Sequence, residues 1–193
     1  MFAVYITHPQ VRIDPAVPVP EWGLSEIGVE RSLVTAGHGW VKEIGRFLSS
    51  DEVKAQETAA ILAAGRLVEV LEHSGENDRS ATGFLKPDAF EDAADWFFAH
   101  PTESFRGWER ASDAQARIVA AVFGALEKYD PNIPVAFVGH GGVGTLLKCH
   151  LAGVPIARHD QPPGGGNLFA FSLADRSLAC DWTPMEQWRG WMK

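Results

Sequence analysis

The stretch Val138–Gly144, VGHGGVG, joins an apolar run to a helical one. The run before it, Pro134–Val138, is short, starts with proline and is rich in β-branched and aromatic residues, which predicts a buried strand. Leu146–Leu151 then has the spacing of a helix, and the glycines between let the backbone turn sharply and approach a ligand. Ligands bind at the carboxyl ends of strands in open α/β sheets. His140 is therefore a candidate functional residue, with capping of the turn as the alternative.

A second histidine follows another predicted strand. Met1–Thr7 is apolar and β-branched, and His8 comes directly after it. Two strands that bring two histidines to one sheet edge form a constellation that core packing does not require. The pair predicts a shared function for His8 and His140, although either residue alone would more often be structural.

Composition limits the class of protein. The chain has 193 residues, 46% of them hydrophobic and 22% charged, as expected for one globular domain over 1–193. The formal net charge of −8 argues against nonspecific nucleic-acid binding, but it leaves room for a local basic pocket. The apolar N-terminus is too short to cross a membrane. With only Cys149 and Cys180, of which Cys149 is expected in the core, a reducing, cytoplasmic location is the default.

Strand and helix signals alternate along the chain. This alternation predicts an α/β fold with three layers (α/β/α) and a mainly parallel sheet with helices on both faces. Ser25 is the expected N-cap of the first helix, and Ser49-Ser50-Asp51 is expected to cap a helix that Gly65 stops. The predicted helices are 25–38, 52–64, 87–99 and 112–129, and the further strands are 46–48, 67–71, 168–173 and 178–182.

Residues 74–111 are the irregular part of the chain, apart from the predicted helix 87–99. The helix is rich in aromatic residues, among them Phe90, Trp96, Phe97 and Phe98. A long segment of this kind commonly forms a lid or a wall of a binding site. A helical hairpin that only covers the sheet is an equally consistent interpretation.

Five short motifs, in the right order, resemble those of the histidine phosphatase superfamily, the phosphoglycerate mutase-like phosphatases and mutases. The resemblance covers nearly the whole length and implies a phosphoglycerate mutase-like fold. The matching stretches are Val4–Pro9 (strand then Arg-His-Gly), Leu24–Gly28 (Leu-Thr-x-x-Gly), Ser50–Ala59 (Ser-x-x-x-Arg-Ala-x-x-Thr-Ala), Val138–Gly142 (the second histidine motif) and Asn167 before a terminal strand.

The resemblance also implies roles for residues. His8 would be the nucleophile that forms a phosphohistidine, and His140 would donate a hydrogen bond to the phosphoryl oxygens. A carboxylic acid should protonate the leaving oxygen and later activate water. Glu76 is the candidate because its distance from Thr58 fits the family better than that of Glu72. A small phosphorylated substrate or anion is the expected partner, no cofactor or metal is implied, and hydrolysis is favoured over mutase activity.

Four positions depart from the family pattern. Thr7 and Lys54 stand where two phosphate-clamping arginines are expected, Pro9 replaces a glycine, and Asp14 replaces an asparagine. Lysine supplies a compact point charge and threonine supplies none, whereas arginine binds phosphate with a planar fork. Thr7 and Lys54 are retained as phosphate-binding candidates at these positions, and Gly141, in the second histidine motif, is a further candidate. Arg12 and Arg79 are the candidates for a compensating guanidinium; both residues are otherwise read as solvated surface arginines.

Two further functions compete with phosphoryl transfer. The altered motif at His8 is compatible with a catalytically silent member that binds an anionic ligand or a partner protein. A metallohydrolase built on His8, Asp14, Glu76 and His140 is weaker, because no two of these residues have the close helical spacing of zinc ligands.

Overall fold

Six strands form one sheet in the order β3-β2-β4-β1-β5-β6. The computed structural model describes residues 1–158 and 161–191. The strands are β1 (Phe2–Thr7), β2 (Arg46–Ser49), β3 (Val68–Val70), β4 (Val135–Gly139), β5 (Asn167–Ser172) and β6 (Thr183–Pro184). The helices are α1 (Glu26–Ala36), α2 (Gly39–Glu43), α3 (Val53–Ala63), α4 (Pro87–Ala99), α5 (Ala111–Leu126) and α6 (Gly141–Ala152), with a short 3-10 turn at Val19–Glu21.

The first four strands of the sheet are parallel, and the last two are antiparallel. β1 pairs with β4, β4 with β2, and β2 with β3, all in parallel, whereas β5 runs antiparallel to β1 and β6 antiparallel to β5. The register places Thr7 opposite Gly139, so the residues that follow both strands leave the sheet side by side. The prediction of a mainly parallel α/β sheet is confirmed.

Alternating side chains of β1 supply two separate cores. Ala3 and Tyr5 pack with residues of α4, α5 and α6 on one face. Phe2, Val4 and Ile6 pack with residues of α2 and α3 on the other. Successive side chains of a strand point to opposite faces, and burial of both faces therefore yields the three layers that the sequence predicts.

Several local predictions agree with the structure. Ser25 caps α1, because its hydroxyl accepts a hydrogen bond from the Gly28 amide at 3.2 Å. Gly28 is needed there, since a Cβ would lie 2.2 Å from the Gln10 carbonyl oxygen. Cys149 is buried in the core, as expected. Among the described residues, no helix is both long and apolar enough to span a membrane.

Three local predictions are wrong. The N-cap of α3 is Glu52, whose side chain makes no capping bond, and Ser50 bonds to His140 instead. α3 ends at Ala63, because its C-cap residue Ala64 already takes the left-handed conformation (φ 49°) before Gly65 is reached. The stretch 178–182 forms only an isolated bridge at Leu178, and the last strand is β6, because it is at Thr183–Pro184 that the chain pairs with β5.

Candidate active site

His8 and His140 follow neighbouring parallel strands and meet at the sheet edge. The His8 amide donates to the Gly139 carbonyl at 2.9 Å, which extends the β1–β4 pairing by one residue. The two imidazole rings lie 5.4 Å apart between centroids, with an interplanar angle of 66°. The structure therefore brings together the two histidines that the sequence singled out.

The His8 ring is fixed in one tautomer. Its Nδ1 lies 2.8 Å from the carbonyl oxygen of Pro9. A carbonyl can only accept, so Nδ1 carries the hydrogen and Nε2 keeps its lone pair. Burial, with smaller contributions from the nearby His140 and Lys54, lowers the pKa of His8 to about 3. The neutral, nucleophilic form of the ring is thus the stable one at ordinary pH.

His140 is fully buried beside His8. Its Nε2 lies 2.7 Å from the Ser50 hydroxyl and 3.3 Å from Oε1 of Glu52. Its Nδ1 is buried and has no hydrogen-bond partner among the described residues. Burial lowers the pKa of His140, against the opposing effects of Glu52 and Glu76. A buried ring nitrogen without a partner is an atom that a bound ligand oxygen can satisfy.

Glu76 reaches the same place from the loop after β3. Its carboxylate accepts hydrogen bonds from the amides of Gly142 and Val143, both at 3.0 Å, in the first turn of α6. Burial acts to raise the pKa of Glu76, but Arg79, His140 and the Gly142 amide outweigh burial and lower it. The Glu76 carboxylate is therefore ionised when the site holds no ligand. Glu72, the alternative acid, is exposed on the surface.

The glycines of the turn make room for protein groups. A Cβ at Gly142 would lie 2.6 Å from Oε1 of Glu76. Gly139 and Gly144 lie against Tyr5, whose ring or hydroxyl would be 2.4–2.5 Å from an added Cβ. The Tyr5 hydroxyl also accepts from the His140 amide at 3.1 Å. These three glycines thus make room for groups of the protein itself, whereas the glycine run predicts a sharp turn and close approach of a ligand.

Arg117, on α5, holds the loop that carries Glu76. Its guanidinium donates to the carbonyls of His73, Gly75 and Glu76 at 2.7, 3.0 and 3.3 Å. The Glu109 carboxylate accepts two further hydrogen bonds from the same guanidinium, at 2.8 and 2.9 Å. Sequence reasoning missed Arg117, because an arginine on an amphipathic helix carries no local signal of this role.

A buried ion pair lies behind the histidines. Lys54 Nζ is 2.5 Å from Oε2 of Glu52, and the two side chains are only 4% and 11% exposed. Lys54 also donates to the Val19 carbonyl at 2.8 Å, and Glu52 accepts from the Glu76 amide at 2.8 Å. Burial opposes ionisation of Glu52, but His140 and Lys54 outweigh it and lower its pKa to about 2. The charge of Lys54 is therefore matched by the carboxylate of Glu52, a residue that is not among the predicted site residues.

A cavity of about 480 Å³ opens beside His8 and Glu76. We call the part around His8, Glu76, Gly141 and Gly142 the inner end. The outer end is the part lined by Phe90, Glu91, Ala94, Phe97, Phe98, Arg158 and Gln161. Several residues of 74–111 contribute to this lining. That the segment forms a lid or wall of the site stays a prediction.

The phosphate-binding candidates divide into two groups. Arg79 and Gly141 line the cavity, with the Arg79 guanidinium 5.0 Å from the Phe90 ring centroid.

The other three candidates lie outside the lining. Thr7 does not line the cavity, because its buried hydroxyl accepts a hydrogen bond from the main-chain amide of Asn167 at 3.0 Å and so joins β1 to β5. Arg12 is exposed and lies outside the lining, because the loop that follows His8 turns toward solvent. Lys54 is held by Glu52 and Val19 behind the cavity wall.

Asp14 does not repel a ligand in the cavity. The residue is exposed, and its carboxylate accepts a hydrogen bond from the Ala16 amide at 2.9 Å. The negative charge that replaces the family's asparagine therefore serves a local turn in solvent.

Comparison with known sequences and structures agrees with this geometry. The sequence profile of the histidine phosphatase superfamily (branch 1) matches residues 20–168, a span that includes Glu76 and His140 and begins after His8. A search of curated proteins finds no match to the chain.

Solved structures with the same fold include three bacterial or protozoan proteins. Mycobacterial glucosyl-3-phosphoglycerate phosphatase with inorganic phosphate has 22% identity and a TM-score of 0.76 over 96% of this chain and 98% of that chain. YhfR of Bacillus stearothermophilus has 18% identity and a TM-score of 0.76 over 95% and 96%. Phosphoserine phosphatase of Entamoeba histolytica, with 3-phosphoglyceric acid, has 13% identity and a TM-score of 0.77 over 96% and 98%.

Proposed function

The chain belongs to the histidine phosphatase superfamily, and on that premise we propose that it hydrolyses small phosphomonoesters through a phosphohistidine on His8. The observation that carries the proposal is the fixed tautomer of His8. Nδ1 of His8 donates its hydrogen to the Pro9 carbonyl oxygen, 2.8 Å away, which leaves the lone pair of Nε2 free next to the cavity. The centroid of the His8 ring lies 5.4 Å from that of His140.

In the first step, Nε2 of His8 attacks phosphorus and the bond between phosphorus and the leaving oxygen breaks. Glu76 gives its proton to that oxygen, so that the leaving group departs as a neutral alcohol. The negative charge of a bound phosphoryl group raises the pKa of Glu76. The carboxyl therefore holds a proton in the complex, although it is ionised in the free protein.

In the second step, water attacks the phosphohistidine. The Glu76 carboxylate takes a proton from the water, the water oxygen bonds to phosphorus, and the bond between phosphorus and Nε2 breaks. Inorganic phosphate leaves, and His8 returns to its neutral form. One difficult displacement is thus divided into two easier ones.

The negative charge on the phosphoryl oxygens needs hydrogen-bond donors other than Thr7 and Lys54, which stand where the family has arginines. Arg79 lines the inner cavity close enough to Glu76 to lower its pKa, and its guanidinium carries a fixed positive charge. The Nδ1 of His140 is a second donor candidate, because it has no partner among the described side chains. Together they take the phosphate-positioning role that Thr7 and Lys54 do not fill.

The test is turnover combined with trapping of the intermediate. Purified protein should hydrolyse at least one member of a panel of phosphomonoesters and form an acid-labile, alkali-stable phosphoenzyme with a labelled substrate. His8→Ala should lose both signals, with a fall in kcat of about a thousand-fold or more. His150→Ala, an exposed histidine on α6, is the matched control. Turnover that persists in His8→Ala contradicts the proposal.

A second candidate is a member that binds anions without turnover. One observation favours it: Glu52 neutralises Lys54, and Thr7 is engaged with Asn167, so neither clamp position presents a free cation. Binding of inorganic phosphate by calorimetry, with no phosphoenzyme and no turnover across the panel, would establish this function instead.

A further inference from the structure

The cavity is larger than the reacting group alone requires. Its volume of about 480 Å³ is that of a site for a whole small molecule. His8 and Glu76 occupy the inner end, where the phosphoryl group must lie if the proposed function is correct. The space at the outer end is then available to the alcohol that leaves.

One wall of the outer end is aromatic and preformed. Phe97 contacts Phe98 and Trp108 with ring centroids 5.1 and 6.2 Å apart, and Phe90 lies 6.4 Å from Trp108. Rings held by one another in this way keep their positions without a ligand. An apolar or aromatic group gains free energy when it leaves water to pack against such a wall.

The facing wall is polar but already paired. The Gln161 side-chain amide donates to the Gly141 carbonyl at 3.0 Å and to the Thr145 hydroxyl at 2.9 Å. Its hydrogen-bond donors are therefore used within the protein. Among the described residues, this wall adds no positive charge to the outer end.

Arg158 is the only described cation at the outer end, and the two carboxylates that pair with it carry more negative charge than it carries positive charge. Arg158 donates to the carboxylates of Glu91 and Asp95, the second at 2.5 Å. Both acids lie on α4, one turn apart, so two negative charges face one positive charge. Arg79, the remaining cation of the cavity, is needed by the phosphoryl group. A second anionic group on the substrate therefore meets net negative charge among the described residues.

We propose that the natural leaving group is an uncharged aromatic or similarly apolar alcohol, and that Glu91 and Asp95 select against substrates with a second anionic group. This inference rests on the proposed phosphatase function. The two acids are specificity-determining residues that act on the substrate's distal end through charge, and they take no part in phosphoryl transfer.

The test compares two substrates that differ by one charge, phenyl phosphate and 4-carboxyphenyl phosphate. Wild-type protein should prefer phenyl phosphate by about tenfold or more in kcat/KM, since an unpaired charge near like charges costs that much. The double variant Glu91→Gln/Asp95→Asn should lower this ratio about tenfold, because Arg158 is freed to pair with the carboxylate.

The matched control is Asp88→Asn/Asp92→Asn. It also removes two negative charges from α4, but from residues that neither line the cavity nor pair with Arg158, and it should leave the substrate ratio unchanged. Equal use of both substrates by the wild type, or an equal shift in both double variants, overturns the inference while the phosphatase function stands. No turnover of any phosphomonoester, with no phosphoenzyme, overturns the function and the inference together.

Discussion

The inner and outer ends of the cavity are held in place by different kinds of contact. At the inner end, main-chain groups hold the side chains: the Pro9 carbonyl fixes His8, and two amides of α6 fix Glu76. At the outer end, Arg158 is placed mainly by ion pairs with Glu91 and Asp95, whose side chains are 59% and 70% exposed, and its one main-chain contact is a long hydrogen bond of 3.4 Å to the Glu91 carbonyl. Main-chain contacts tolerate little change, whereas exposed side-chain pairs can be exchanged one residue at a time. On the proposed function, the main chain therefore fixes the residues that react, whereas exposed side chains set the choice of substrate.

The largest effect should come from the inner end. Glu76→Gln removes the proton that the leaving oxygen needs and should lower kcat/KM, which reports formation of the phosphohistidine, by about 10²–10⁴-fold for alkyl phosphates. The loss in kcat/KM should be much smaller for 4-nitrophenyl phosphate, whose leaving group needs no proton, although kcat should fall for both substrates because Glu76 also activates the water of the second step. Glu72→Gln, on the same loop but exposed, is the control and should behave as wild type. An equal loss in kcat/KM with both substrates would show that Glu76 only holds the loop.

Arg79 lies where the two ends join, and its removal should have an intermediate effect. Arg79→Ala should lower kcat/KM by about ten- to a hundred-fold, the value of one or two hydrogen bonds to a charged group. Inhibition by inorganic phosphate should weaken in parallel. Arg12→Ala removes an exposed arginine outside the lining and serves as the control. Similar losses in the two variants would mean that Arg12 enters the site when substrate binds.

The smallest predicted effect concerns stability, and it contrasts one ion pair from behind the inner end with one from the outer end. The pKa of Glu52 is about 2 in the folded protein against an ordinary 4.5, so the unfolded state binds more protons between these values. This stabilisation, roughly 3 kcal/mol, is complete above pH 4.5 and is lost as pH falls toward 2. Glu52→Gln should therefore be less stable than wild type at pH 7 and nearly equal to it at low pH.

Urea unfolding followed at several pH values measures this difference. Glu91→Gln is the matched variant from the outer end, and it should change the free energy of unfolding by about 1 kcal/mol or less at every pH, because its ion pair is exposed. A pH-independent loss in Glu52→Gln would show that packing of the side chain matters and its charge does not.

The order of elements and the main candidates for chemistry were predictable from local patterns. Apolar runs bounded by proline or glycine located β1 and β4, and the residues after them were therefore expected at one sheet edge. Pro87 likewise indicated a helix that follows it through Ala99, and α4 spans Pro87–Ala99. The distance from Thr58, compared with that in the family, favours Glu76 over Glu72, and the structure places Glu76, and not Glu72, in the cavity lining.

Pairings between distant residues were not predictable. Glu52 and Lys54 were visible in the sequence, but nothing in their spacing indicates that they bond to each other and to groups as distant as His140 and Val19. Arg117 has the same character, because its partners lie about forty residues away on the loop of Glu76. Such contacts depend on how whole elements pack, and no local pattern encodes them.

By itself, then, the amino-acid sequence determined which segments become strands and helices, and hence that His8 and His140 leave adjacent strands. Periodicity and turn chemistry are properties of neighbouring residues, so they can be read along the chain. Only the tertiary structure decided which cation reaches the cavity, which carboxylate neutralises Lys54, and how Arg158 is shared between two acids. Those outcomes depend on distances across the fold, where Coulomb and hydrogen-bond energies act between groups that are far apart in sequence. Glu52 and Lys54 are near neighbours in sequence, but their distant partners His140 and Val19 help to hold them in place.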